Sequence, residues 1–368
     1  MPKSPLEKVD ALGQAVWIDY LSRDLLETGQ LAEKMREDAI TGVTSNPTIF
    51  QKAISHGDRY DAQLSELLGH ETDPKEIFIA LAARDITAAC DLLRDVWDEG
   101  AGLRGYVSME VDPTLAYDTE QTFDQAQRFH ALIDRPNLYV KIPATKPGLP
   151  AIEDVIARGK SINVTLIFSL ERHREVMEAY VRGLERLVAA GGDPRPVSSV
   201  ASFFVSRVDT EADRRLDELG GRAGLKGKLA VANAKLAYQS WQEVFSGERW
   251  EFLASKGASK QWCLWASTST KNPAYPDTLY VDALIGPDTV NTMPEETIEA
   301  FQDHGKVEAT LGKGLGKARK LLDELAEAGV DYDDVTETLE EEGVQKFADS
   351  FEELLDGIRA KRGALVSA

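Results

Sequence analysis

Cysteine and histidine are scarce in this sequence, and no apolar run is long enough to span a bilayer. The two cysteines, Cys90 and Cys263, lie far apart and match neither a zinc-ligand spacing nor CxxC. Neither a disulfide framework nor a metal site is implied, and a reducing compartment fits. The five histidines, His56, His70, His130, His173 and His304, form no HExxH or other ligand pattern, and they are read as surface residues. The stretch MPKSPLEKVDALGQ has no apolar h-region, and runs such as Ile77–Ala83 are far too short to cross a membrane. The chain therefore reads as cytoplasmic, with no membrane partner. Positive charge is also in deficit: 42 Lys and Arg against 62 Asp and Glu leave a net charge of −20. That balance repels nucleic-acid backbones and anionic membranes from most of the surface.

The apolar and charged fractions, 43% and 28%, are those of a chain that folds by itself. A length of 368 residues allows two domains, or one large α/β barrel with appendages. Eight short apolar, β-branched runs decide between them: Ala15–Asp19, Ile40–Thr44, Gly105–Glu110, Leu138–Ile142, Ser161–Ile167, Ser198–Phe204, Trp262–Ser267 and Leu279–Leu284. Between them lie stretches of helical periodicity, among them 119–134, 150–158, 170–189, 208–219 and 227–246. This βα alternation predicts a closed (β/α)8 TIM barrel. Ser4-Pro5-Leu6-Glu7 predicts an N-terminal helix opened by a capping box, and Asp73-Pro74 starts another helix by the same logic. Lys317–Ala328 and Val335–Lys361 read as C-terminal helices packed on the barrel. No Pro/Ser/Gly linker precedes them, so residues 1–368 are expected to form one domain, with a barrel core of about 14–300 and a helical extension of about 301–368.

Strands of a parallel barrel are covered on both faces, so each polar residue in them requires a reason. Here most strands have one: Asp19, Asn46 just after the second run, Glu110, Lys141, Asn163 with Thr165, Ser202, and then Arg207. All fall toward strand C-termini, the end of a barrel that carries chemistry. Lys141, between Val140 and Ile142, is the candidate nucleophile, because a buried amine loses hydration and its uncharged form attacks carbonyls. A structural ion pair with Asp19 or Glu110 is the bland alternative for a lone strand lysine. The surrounding Asn46, Asn163, Thr165 and Ser202 favour the catalytic one. Asp19 and Glu110 could divide proton transfer and water handling between them, and the residues alone do not assign which does which. Arg207 with Ser267, Ser269 and Lys271 of WASTSTKNP would form a phosphate-binding cluster near the last strands. Gly312, Gly314 and Gly316 match neither a Walker loop nor GxGxxG and read as a turn before a helix, and Asp331-Tyr332-Asp333-Asp334 reads as a helix start rather than a calcium loop.

Six segments in this order, VWIDYLSRDL, GVTSNPTIF, VSMEVDP, LYVKIPAT, SINVTLIFS and SVASFFVSRVD, resemble transaldolases, class I aldolase-type enzymes on a (β/α)8 barrel. The likeness runs from about Gln14 to the region of Thr297. It implies a Schiff base at Lys141 that takes a dihydroxyacetone unit from a ketose phosphate and passes it to an aldose phosphate. By motif match, Asp19 would be the acid/base for carbon–carbon cleavage, and Glu110 with Thr165 would hold the water of imine chemistry. Asn46, Asn163 and Ser202 would grip the dihydroxyacetone hydroxyls, and Arg207 would bind phosphate. No metal or organic cofactor is implied, since the iminium is the electron sink; the partners are sugar phosphates, and a homodimer is possible. Two departures from shorter transaldolases stand out, the helical stretch LERHREVMEAYVRGLERL and the loop STSTKNP. The alternatives are a fructose 6-phosphate aldolase, which tends to have glutamine for Glu110 and tyrosine for Phe204, and a catalytically silent sugar-phosphate-binding barrel.

Overall fold

The computed structural model describes residues 3–55, 58–100, 103–220 and 222–366. Eight parallel strands close into a barrel in chain order. They are β1 (Gln14–Ile18), β2 (Ile40–Val43), β3 (Tyr106–Glu110), β4 (Leu138–Pro143), β5 (Ile162–Ile167), β6 (Ser199–Phe204), β7 (Trp262–Ala266) and β8 (Thr289–Met293). Closure is made by β1 on β8, with Trp17 opposite Thr292 and Ile18 opposite Met293. Seven strands lie within a residue or two of the predicted runs.

The eighth corrects the prediction. Leu279–Leu284 is not a strand: Leu279–Ala283 is a short helix, and the chain returns to the sheet at TVNTM. That strand was hidden because three of its five side chains are polar. Each has a partner inside the barrel: Thr289 accepts from Gln14 Nε2 at 2.9 Å, Asn291 Oδ1 accepts from Thr268 at 2.8 Å, and Thr292 bonds Thr44 at 2.6 Å. A strand whose polar groups pair inside the barrel can be buried without being apolar. The histidine reading also fails in part. His130 and His173 are buried, whereas His70 and His304 are exposed, and His56 lies outside the described residues. His173 packs edge-on to Phe203 on the outer side of the sheet. Cys90 and Cys263 are buried free thiols.

The lower part of the barrel is filled by aromatics. Tyr106 and Tyr139 stack with centroids 3.8 Å apart, and Trp17 lies 6.1 Å from Tyr139. Gly42 makes room for Trp17, since a Cβ there would sit 2.4 Å from the indole. With the interior plugged below, the cavity within the barrel opens at the strands' C-terminal end.

Helices cover the outside and begin where their caps dictate. Glu7 N donates to Ser4 Oγ at 3.1 Å and Ser4 N to Glu7 Oε2 at 2.6 Å, completing the predicted capping box. Asp73 caps Pro74–Leu92. A buried network fastens the loop after β1 to this helix: Arg23 Nε meets Asp85 Oδ1 at 2.9 Å, and Tyr60 Oη donates to Asp85 Oδ2 at 2.8 Å. That loop carries Asp19 into the mouth. Among the described residues, no helix is long and apolar enough to cross a membrane.

The chain ends in a 35-residue helix, Tyr332–Val366, about 50 Å long at 1.5 Å per residue. Asp331 accepts from the Asp333 amide at its start. Tyr332 accepts from Leu170 N at 3.0 Å and donates to Asn233 at 2.7 Å, which anchors one end. Farther along, Thr48 donates to Ser350 at 2.8 Å and Phe351 packs on Phe78 at 5.6 Å. The helix therefore crosses the barrel mouth rather than decorating its side.

Candidate active site

Sheet register lifts the polar strand residues into one group. Glu110 lies opposite Lys141, Lys141 opposite Asn163, and Pro143 opposite Thr165. Above them opens a cavity of about 310 Å³ whose lining includes Asp19, Asn46, Lys141, Thr165, Ser202 and Arg207. Ser267, Ser269 and Lys271 line it as well. Of the residues predicted from the sequence, only Glu110 and Asn163 are not on its wall. Glu110 reaches Lys141 from an adjoining narrow cleft beside Asn46 and Phe351. Asn163 lies beneath the floor, donating to Ser108 Oγ at 3.1 Å and accepting from Ser202 Oγ at 2.7 Å.

Lys141 is almost fully buried, and its Nζ lies 3.3 Å from Glu110 Oε2 and 3.4 Å from Ser45 O. Both contacts are long for a charge-assisted hydrogen bond, and the amine still faces the cavity. The ion-pair alternative and the nucleophile alternative thus share one geometry. What separates them is the open space above the nitrogen. Burial pushes the Glu110 carboxyl up to about 7, against the opposing pull of Lys141. Near neutral pH it is a group matched to exchanging a proton with its neighbour. Its Oε1 and the Thr165 hydroxyl are buried with no hydrogen-bond partner among the described residues.

Asp19 follows β1 directly, its amide extending the ladder to Met293 O at 2.9 Å. Thr44 donates to its Oδ1 at 2.7 Å. Burial raises this carboxyl as well, while Lys141, Thr44, Lys271 and Arg207 draw it down. Asn46 accepts from the Ile49 amide at 3.0 Å, so its carbonyl caps the helix Pro47–Ser55 and its amide N–H groups are left for the cavity.

Two residues at the mouth adopt left-handed backbone. Leu166, beside Thr165, has φ +60° where β5 shifts register against β6. Ser267, directly after β7, has φ +56°; its carbonyl accepts from Ser206 N at 3.0 Å and its hydroxyl bonds Ser206 Oγ at 2.9 Å. Such strain in non-glycine residues persists only where neighbours hold it, and here it aims Thr165 and the Ser267 loop. Arg207 stands in the first turn of the helix Ser206–Glu218, its guanidinium 5.1 Å from the Phe204 ring centroid. Burial lowers its pKa. Lys271 bonds Ser269 Oγ at 2.6 Å. Among the described residues, neither cation makes an ion pair. An arginine at a helix N-terminus beside a hydroxyl-rich loop is an anion-binding arrangement.

Sequence reasoning missed Thr44, Thr292, Lys346 and Phe347, all on the cavity wall. Thr44 ends the second predicted run, whereas Thr292 lies in the eighth strand that the sequence reading does not find. Lys346 and Phe347 come from the C-terminal helix, and the Phe347 ring centroid lies 5.6 Å from Lys141 Nζ. The signal that could have found these two is a lone Lys-Phe step in the acidic stretch 332–358 of that helix.

The family model described as Transaldolase/Fructose-6-phosphate aldolase matches residues 16–358. The match runs well past Thr297 and takes in most of the C-terminal helix. A protein named Transaldolase from Parafrankia sp. (strain EAN1pec) is 54% identical over 99% of both chains. Those so named from Acidothermus cellulolyticus and Frankia alni are 52% and 51% identical, each covering 98% of this chain and 99% and 98% of their own. This chain belongs to the transaldolase/fructose-6-phosphate aldolase family.

Proposed function

We infer that this chain is an enzyme that transfers a dihydroxyacetone unit between sugar phosphates through a Schiff base on Lys141. The reaction is that of a transaldolase: sedoheptulose 7-phosphate and glyceraldehyde 3-phosphate give erythrose 4-phosphate and fructose 6-phosphate, a step of the non-oxidative pentose phosphate pathway. The observation that carries the reading is the Lys141 amine on the floor of a polar cavity that has Asp19 on its wall and Arg207 in the first turn of a helix at its mouth.

The amine adds to the ketone carbon, and loss of water gives the iminium. Glu110, 3.3 Å away, exchanges protons during this stage, and Thr165 helps hold the water. Asp19 takes the proton of the hydroxyl next to the breaking carbon–carbon bond, the aldose phosphate departs, and the enamine remains on Lys141. Asn46 and Ser202 hold its hydroxyls, with Asn163 aligning Ser202 from below. An acceptor aldehyde is then attacked by the enamine, Asp19 returns the proton, and hydrolysis frees the new ketose. Arg207, Ser267, Ser269 and Lys271 hold the phosphate. Transfer rather than release as free dihydroxyacetone is supported by Glu110 and Phe204, which stand where the lyases of this family tend to have glutamine and tyrosine. We treat barrel and C-terminal helices as one domain and place the enzyme in the cytoplasm with its substrates.

The test is borohydride reduction in the presence of fructose 6-phosphate, followed by peptide mass analysis. A three-carbon adduct on Lys141 is expected. An adduct on another lysine refutes the assignment, and no adduct at all favours a silent binding barrel.

A further inference from the structure

From Tyr332 to Ile358 the C-terminal helix carries ten acidic residues and a single basic one, Lys346; its other basic residues, Arg359, Lys361 and Arg362, fall in its last turns. That residue is on the wall of the cavity described above, with Arg207, Ser269 and Lys271. Among the described residues, Lys346 makes no hydrogen bond and no ion pair, although Glu342 and Asp349 stand one turn away on either side. An exposed lysine in an acidic helix ordinarily pairs along its own helix at i±3 or i±4. This one does not.

The helix is held close enough for Lys346 to act there. Gly343, one turn earlier, lies over the strained end of β5, where a Cβ would approach Leu166 Cδ2 to 3.1 Å. Phe347, the next residue, is buried over Lys141. Lys346 is therefore fixed between these two contacts and the Thr48–Ser350 hydrogen bond. The Lys271 amine is pushed down by burial, with Glu296 opposing and both Arg207 and Lys346 adding to the fall, so these cations share one local field. Among the described residues none of these three cations makes an ion pair, and although Asp19 and Glu296 share the cavity wall, the cluster is a local concentration of positive charge in a chain of net charge −20 that an added anion would relieve.

We propose that Lys346 is a phosphate-binding residue of this cavity, closing over the substrate phosphate from the C-terminal helix while Arg207 and Lys271 hold it from the barrel. The proposal rests on reading the cavity as a sugar-phosphate site. Its consequence is that the helix discriminates phosphorylated from unphosphorylated sugars at the rim, where the barrel supplies only one side of the contact. Every phosphorylated substrate of the reaction would use this residue, and no unphosphorylated analogue would.

Calorimetric titration of the unreactive pair arabinitol 5-phosphate and arabinitol into wild type, Lys346→Gln and Lys346→Arg decides it without depending on turnover. Lys346→Gln is expected to weaken the phosphorylated probe about 3- to 10-fold, as loss of one charge-assisted contact does, to leave arabinitol unchanged, and to be restored by Lys346→Arg. Kinetically, KM for erythrose 4-phosphate should rise by a similar factor with kcat nearly constant, while the KM for erythrose stays put. Equal weakening of both probes assigns Lys346 a merely structural role and overturns the proposal, as does no change in either. Failure of the Schiff-base reading has a different sign: wild type then forms no borohydride adduct, while the phosphate-dependent difference in binding still decides the role of Lys346.

Discussion

The barrel strands reach the cavity with residues that are out of place in a strand, whereas the C-terminal helix reaches it with residues that fit any helix. Lys141 sits between Val140 and Ile142 on a strand buried on both faces, so its presence demands a purpose. Phe347 and Lys346 sit in an amphipathic helix where a buried aromatic beside an exposed lysine is the normal pattern. The two regions also divide their duties. The strands hold the groups proposed to do the chemistry, whose burial is costly; the helix holds a group whose burial stabilises the fold, next to one on the cavity wall.

The sharpest way to break this division is to exchange the two losses. Lys141→Met removes the proposed nucleophile and fills its space with a thioether, so kcat should fall by about 10⁴-fold or more while thermal unfolding stays within a few degrees of wild type. Phe347→Ala should do the reverse. Truncating a buried phenylalanine costs about 3–5 kcal/mol, visible as an earlier urea midpoint, and the loss of turnover should be far smaller than that of Lys141→Met. Phe347→Leu separates packing from position, because it keeps most of the volume and should recover most of the stability. If Lys141→Met proves strongly destabilising while Phe347→Ala leaves the urea midpoint in place, the division between chemistry and support is wrong.

The same contrast explains what could be read in advance. Asp19, Asn46, Glu110, Lys141, Asn163, Thr165, Ser202 and Arg207 were legible because a polar group in a two-sided strand or at its C-terminal end is an anomaly against a uniform background. β8 was illegible for the converse reason. Thr289, Asn291 and Thr292 are polar yet each finds a partner inside, so they look like a loop, and LYVDAL looks like the missing strand because Tyr280 and Val281 are buried on one side of a short helix. His173 was misread on the same ground: its burial against Phe203 depends on how a helix packs on the sheet, which no spacing in the sequence records. The left-handed Leu166 and Ser267 were beyond reach because neither is glycine, the one residue that announces such a conformation. The path of the C-terminal helix depended on where Thr48, Phe78 and Tyr332 would be in space, three partners far apart along the chain.

The finest comparison lies within the barrel floor, between Glu110 and the lysine it faces. Its carboxyl rises from 4.5 to about 7 in the folded protein, burial being the main cause. Between those values the folded state keeps a proton that the unfolded chain has released. Glu110 therefore contributes most to stability below its unfolded pKa and loses that contribution as pH rises through about 7. Asp19, raised by burial in the same way, acts with the same sign. Denaturant titrations of wild type and Glu110→Gln at intervals from pH 4.5 to 8 should show wild type losing stability relative to the variant across that window. In the imine-forming step, the unprotonated carboxylate is the form that accepts a proton, so the wild-type rate should fall by severalfold as pH drops below about 7. Glu110→Gln should remove that limb, because the amide does not titrate. A limb near 7 that survives in Glu110→Gln would assign the proton exchange to another group and leave Glu110 as the lysine's structural partner alone.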